Sequence, residues 1–175
     1  MIKTDYPTWL EIDLSAVEQN AHTIIQSTGT ALLAAIKANA YGHGAVEVGK
    51  AALAGGASWL GVARYSEAHT LRQAGITAPI LILGVLTPSE ITLAIEEDIT
   101  LALPSIELVE IVSSAAKSVN KKAVVHMVVD TGMGRLGVLP EQSVTLAERI
   151  IGAGNIELNG IFSHFAMSDF DNHPM

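Results

Sequence analysis

Thr30-Ala-Leu-Leu-Ala-Ala-Ile-Lys37-Ala-Asn-Ala-Tyr-Gly-His-Gly44 is the stretch whose reading decides the fold. The almost wholly apolar run over 30–36 reads as a strand buried on both faces, because a parallel strand covered by helices loses the polar/apolar alternation of a half-exposed one. Gly42 and Gly44 mark a turn, and 45–54 reads as a helix. The same unit recurs. Apolar strand runs occupy 59–63, 80–83, 99–103, 123–129 and 156–163, with helical stretches over 66–74, 106–118 and 141–151 between them. Gly75 closes one helix, Gly84 ends one strand, and Thr87-Pro88-Ser89-Glu90 is a capping box with proline at the first helical position, where its missing N–H costs nothing. Ahead of these, Trp9-Leu-Glu-Ile-Asp13 alternates like an opening strand, and Ser15-x-x-Glu18 reads as a second capping box.

Strand and helix alternate through six βα periods, the sixth lacking a complete helix, which means a parallel sheet. Two architectures fit: a doubly wound open sheet, or an incomplete (β/α)8 barrel of the TIM type. A complete barrel needs about 250 residues and eight strands, whereas the chain has 175 residues. No linker or low-complexity stretch divides it, so residues 1–175 read as one domain.

Hydrophobic residues make up 49% of the chain and charged residues only 16%, against about 25% charged in ordinary globular domains. A small domain has a large surface for its volume and should be more polar than average. The excess implies apolar surface covered by something else, either a second subunit or further chain. A barrel cut short after Phe170-Asp-Asn-His-Pro-Met175 accounts for both the missing strands and the composition.

The net charge of −8 and the absence of any Lys/Arg cluster denser than Lys121-Lys122 argue against nucleic acid as the main partner. With no cysteine, disulfide scaffolds and thiol catalysis are excluded. The N-terminus lacks the apolar core of a signal peptide, and no run approaches the roughly 18 apolar residues of a membrane span. A cytoplasmic protein that engages no membrane is expected.

Three groups could carry chemistry. Lys37 ends an apolar strand, where desolvation lowers an amine's pKa and prepares it for Schiff-base formation. Gly42 and Gly44 can bring backbone N–H groups to a phosphate, and Tyr41 adds a hydroxyl; a solvated lysine over a flexible loop is the plainer alternative. Asp130-Thr-Gly-Met-Gly-Arg-Leu-Gly137 follows a strand and carries the dinucleotide spacing Gly132-x-Gly134-x-x-Gly137. That fingerprint requires a helix opening at the glycines, and Pro140 comes too soon for one. Arg135 suits a bidentate anionic partner. His164 stands at a strand's C-terminal end, the catalytic end in barrels. Asp169, Asp171 and His173 nearby match no metal-ligand motif. His22 and His69 read as solvated helix residues, and His126 as a core histidine with a hydrogen-bond partner.

Lys37-Ala-Asn-Ala-Tyr-Gly-His-Gly44, Asp130-Thr-Gly-Met-Gly-Arg-Leu-Gly137 and Ser163-His-Phe-Ala166, with Trp9–Asp13 and Ala78-Pro-Ile-Leu-Ile-Leu-Gly84 in order, resemble the alanine racemase family of pyridoxal-phosphate (PLP) enzymes. The likeness spans nearly the whole chain, and its lysine motif is far more specific than its glycine motif. It implies a PLP-binding barrel joined to a separate β domain absent here, working as a homodimer that interconverts L- and D-alanine for peptidoglycan. Lys37 would bind the cofactor covalently and act as the base on one face of the substrate. Tyr41 would hold the phosphate, Leu83 would lie against the cofactor, Arg135 would meet its phenolic oxygen and the substrate carboxylate, and His164 would stand beneath the ring. Many members carry a carbamylated lysine two residues before the aspartate of the Asp-Thr-Gly-Met motif; this chain has Val128 there. A serine or broad-specificity racemase, a non-catalytic PLP-binding barrel and a nicotinamide-dependent oxidoreductase are the alternatives.

Overall fold

The computed structural model describes residues 8–169. Six strands, β1 (Leu33–Ala35), β2 (Trp59–Val62), β3 (Ile80–Ile82), β4 (Thr100–Leu103), β5 (Ala123–Val128) and β6 (Ile156–Phe162), form one sheet. Every neighbouring pair is parallel, and the strands lie side by side in chain order. That order settles the architecture. A doubly wound sheet reverses its strand order at a switch point; this sheet advances in one direction, as a barrel wall does, and among the described residues β1 and β6 are its unpaired edges. The structure is therefore an open arc of a (β/α)8 barrel.

The helices are α1 (Leu14–Thr28), α2 (Lys37–Tyr41, a single turn), α3 (Ala45–Ala54), α4 (Tyr65–Gln73), α5 (Pro88–Glu96), α6 (Glu107–Ser118) and α7 (Ser143–Gly152), the last preceded by a 3-10 turn at Pro140–Gln142. Alternate strand residues Leu60, Val62, Ile80, Ile82, Leu101, Leu103, Val125 and Met127 join Leu71, Ile91, Ile95, Val112, Leu146 and Ile150 in one core between sheet and helices. The period of two turns Ala35, Gly61, Leu81, Ala102, His126 and Val128 to the other face, the inside of the arc. The apolar excess thus serves both faces of the sheet.

Several local expectations are corrected. Trp9–Asp13 forms no strand; Trp9 and Leu10 are exposed, and Trp9 Nε1 donates to Glu11 at 3.0 Å. The α1 cap is Asp13, whose carboxylate accepts from Ala16 N at 3.1 Å and from Ser15 Oγ at 2.5 Å. A carboxylate meets the positive end of the helix dipole better than a hydroxyl does. Residues 30–36 contribute only three to strand β1, part-exposed, because it is an edge strand whose inner face lies open. The Thr87 box forms as read, with Thr87 N donating to Glu90 Oε2 at 3.0 Å.

Candidate active site

Strands in a parallel sheet end together, so residues distant in sequence meet at its C-terminal edge. There a cavity of about 310 Å³ is lined by Lys37 and Tyr41 beyond β1, Leu83 beyond β3, Arg135 in the loop after β5, and His164 after β6. Ala35, Val128 and Phe162 supply apolar wall. All five residues singled out from the sequence therefore face one space. Lys37 is half-buried at the rim, less enclosed than the end of an apolar strand suggests, because the inner face of the arc is open.

The backbone beyond Lys37 is a left-handed turn, and not the flexible loop of the plainer alternative. Ala38, Asn39 and Ala40 sit near φ 51 to 55° and ψ 46 to 49°, and Tyr41 follows at φ 55°. L-residues pay about 1–2 kcal/mol each for this conformation and rarely adopt it in series. Bonds inside the segment hold it: Ala40 N to Ile36 O at 2.8 Å, Gly42 N to Ala38 O at 3.1 Å, and His43 Nδ1, which must carry the proton, to Ala40 O at 2.8 Å. Asn39 Oδ1 accepts Ala45 N at 2.9 Å and so starts α3.

One contact comes from further away. Glu67, in the first turn of α4, accepts Ala38 N on Oε1 at 2.5 Å, and Ala63 N and Arg64 N on Oε2 at 2.7 and 3.0 Å. Sequence reasoning missed this residue. A glutamate three positions past a helix cap is legible only as a capping signal; nothing local announces an acceptor for an amide 29 residues earlier.

The glycine loop is also built, and by Asp130. Its Oδ1 accepts Gly132 N at 2.9 Å and Gly134 N at 3.0 Å. These backbone donors, Gly134 first, hold its carboxyl below the usual range. Asp130 N donates to Val138 O at 2.8 Å and Val138 N to Val128 O at 3.1 Å, closing the loop at its base. Gly137 lies at φ 117°, where a Cβ would come within 2.6 Å of Asp130 N, so only glycine fits. No helix opens among the glycines; the first helical turn begins at Pro140. The dinucleotide fingerprint is not met.

The side chains of Lys37 and Arg135 make no hydrogen bond or ion pair among the described residues. Both cations stay available to something in the cavity. His164 Nδ1 stands 2.8 Å from Phe165 O, which assigns it the proton. His126 lies deeper on the inner face, 3.2 Å from Asn159 Oδ1, its ring 5.1 Å from that of Trp59 and packed flat enough on Gly160 to exclude a Cβ there. His22 is exposed, as expected. His69 is not simply solvated: its Nδ1 lies 2.7 Å from Glu97 Oε1, which also accepts the Tyr65 hydroxyl at 2.9 Å. Asp171 and His173 lie outside the described residues; among those described, no cluster of three or more His, Asp or Glu is placed to hold a metal.

The model of the family described as "Alanine racemase, N-terminal domain" matches residues 12–175. An alanine racemase of Methanococcus maripaludis is 47% identical over 167 residues, covering 94% of this chain and 45% of that protein. The crystal structure of an alanine racemase from a D-cycloserine-producing Streptomyces lavendulae superposes with a TM-score of 0.87 at 37% identity, covering 93% of this chain and 44% of that one. A histidine racemase from Leuconostoc mesenteroides does so with a TM-score of 0.85 at 30% identity, over 91% of this chain and 44% of its own. The chain spans less than half the length of the relatives it matches.

Proposed function

The chain belongs to the alanine racemase N-terminal domain family, and from that premise we propose that it is the cofactor-binding part of a PLP-dependent alanine racemase. Residues 1–175 then form the barrel domain, and further chain closes the barrel and supplies a β domain. The observation that carries the reading is the convergence of one amine, one guanidinium, one phenol and one imidazole on a single apolar-walled cavity.

That donor set fits PLP, a flat anionic aromatic aldehyde. Lys37 would take the aldehyde, Tyr41 the phosphate and Arg135 the phenolic oxygen, while Leu83 and His164 would flank the ring. Asp130, the carboxylate in the wall, is already occupied by two backbone amides. Bound there, the cofactor is an electron sink for the negative charge left when the substrate's Cα proton departs. The chain's own part is aim and proton handling. Lys37 holds or takes the proton on one face of Cα, and Arg135 orients the substrate carboxylate by a bidentate pair. Racemisation requires a second base on the opposite face, which we assign to the partner subunit of a homodimer. Val128 leaves no carboxylate-like side chain next to Arg135 from β5.

The relatives' names support alanine as the substrate; D-alanine supply for peptidoglycan and a cytoplasmic setting are part of the same proposal. No described helix is long and apolar enough to cross a membrane. The histidine racemase neighbour favours a second reading, in which the same half-site serves a different amino acid and the remaining chain selects it. The experiment is an absorbance spectrum of the full-length protein with PLP, before and after borohydride, beside Lys37→Ala. A cofactor band that borohydride abolishes in the parent and that never forms in Lys37→Ala supports the reading. A band unaffected by the substitution defeats it.

A further inference from the structure

We propose that Glu67 is the positioning residue of the Lys37 site, acting as a clamp between the ends of β1 and β2; the inference rests on the reading of Lys37 given above. Its carboxylate takes the first amide after Lys37 on one oxygen, and the two amides that end β2 on the other. Among the described residues, the one other hydrogen bond that takes residues 37–44 beyond 36–45 is Gly44 O accepting Val48 N at 3.0 Å, at the start of α3; Glu67 alone links the turn to the end of another strand. Left-handed backbone in series persists only where its surroundings over-determine it. The bonds inside the segment shape the turn but do not tie it to the sheet. Ile36 N, one residue before Lys37, is tied to β2 through Gly61 O at 2.8 Å, and Glu67 makes the matching tie one residue after it, so the two together fix how the Lys37 backbone leaves β1.

The fold contains its own control. Glu90 occupies the same position in α5, and its carboxylate accepts from Thr87 N and Thr87 Oγ1, wholly within its own cap. Glu67 and Glu90 thus share a helix-capping task, and only Glu67 reaches another strand. Replacing either by glutamine removes a cap acceptor. Only in Glu67→Gln is a link to the active-site turn at stake: glutamine has one acceptor oxygen, so its –NH2 must face either the Ala38 amide or the two amides past β2, and the bridge between them is broken whichever way the amide lies.

The test compares Glu67→Gln and Glu90→Gln in the full-length holoenzyme. Both should lower the melting temperature by a similar amount. Glu67→Gln should lower kcat about tenfold to a hundredfold at nearly unchanged KM, the size expected for a displaced reacting group, and Glu90→Gln should leave kcat alone. Amide exchange at Ala38–Gly42 should quicken in Glu67→Gln while β5 and β6 stay protected. Adding Ala38→Gly, which relieves one left-handed residue, should restore part of the lost kcat. Equal kcat in the two glutamine variants, or unchanged exchange at Ala38, overturns the proposal. Should Glu67→Gln fail to fold, the parent decides: its Ala38 amide must exchange in step with those of Ala63 and Arg64, and an unprotected Ala38 amide overturns the clamp. A borohydride-trapped cofactor on a residue other than Lys37 in the parent would instead sink the underlying reading, independently of Glu67.

Discussion

The two ends of the sheet use their cations in opposite ways. At the N-terminal end Arg72 donates to the carbonyls of Ile76 and Ala78 at 2.8 Å, and of Glu97 and Asp98 at 3.3 Å. Lys121 meets Glu96 O and Asp98 Oδ1, both at 2.7 Å, and Asn155 exchanges a pair of bonds with Ser113 at 2.8 Å. These side chains stitch one helix-to-strand loop to the next. At the C-terminal end Lys37 and Arg135 have no such partner among the described residues, and the backbone around them is left-handed. The cations of one end are engaged and those of the other are free, the division expected of a barrel whose chemistry lies at the strand C-termini. The difference shows that a cation's burial says less about its role than whether its donors are already taken.

The largest effect should come from the C-terminal end. In the full-length protein Lys37→Ala should lower racemase turnover by about 10²–10⁴-fold from the loss of proton transfer alone, while circular dichroism melting stays within about 2 °C of the parent. A collapse in melting temperature would mean that Lys37 helps to hold the fold. Arg72→Ala should do the reverse. Leaving four carbonyls without their donor should cost about 2 kcal/mol, or roughly 4–8 °C in melting temperature for a chain of this size. Turnover per folded molecule should persist, and a tenfold fall in kcat without loss of stability would erase the distinction between the ends.

The smallest effect belongs to Tyr65, whose hydroxyl reaches the N-terminal end through Glu97. Burial first, then the Glu97 hydrogen bond and charge, push its pKa up to about 12. The folded value lies above the ordinary 10.0, so the neutral phenol is favoured in the fold. Its contribution is complete below pH 10 and is lost as pH rises towards 12. Urea unfolding of the parent and Tyr65→Phe should therefore differ more at pH 8 than at pH 11. A gap that widens at high pH would contradict this assignment.

Much of the fold was legible locally. The helix at Ala45–Ala54 matches the reading of 45–54 to the residue, and the Thr87–Pro88–Glu90 box begins α5 where its chemistry says it should. Errors arose where a long-range partner outweighed a local preference. Trp9–Asp13 alternates as a strand does, yet has no neighbour to complete a ladder among the described residues. His69 reads as a surface residue until Glu97, brought alongside by the packing of α4 on α5, engages it. At the site, Lys37, Tyr41, Arg135 and His164 were singled out from the residues themselves and Leu83 only through the resemblance, and all five share one cavity.

Hydrophobic periodicity and turn residues act over a few positions, so the amino-acid order alone determined a parallel α/β chain with a lysine where its first strand ends. Whether that sheet doubles back or curls onward, how the turn after Lys37 is held left-handed, and which carboxylate holds it depend on contacts between residues tens of positions apart. Those were decided only when folding brought Glu67 to Ala38 and set each strand beside its predecessor.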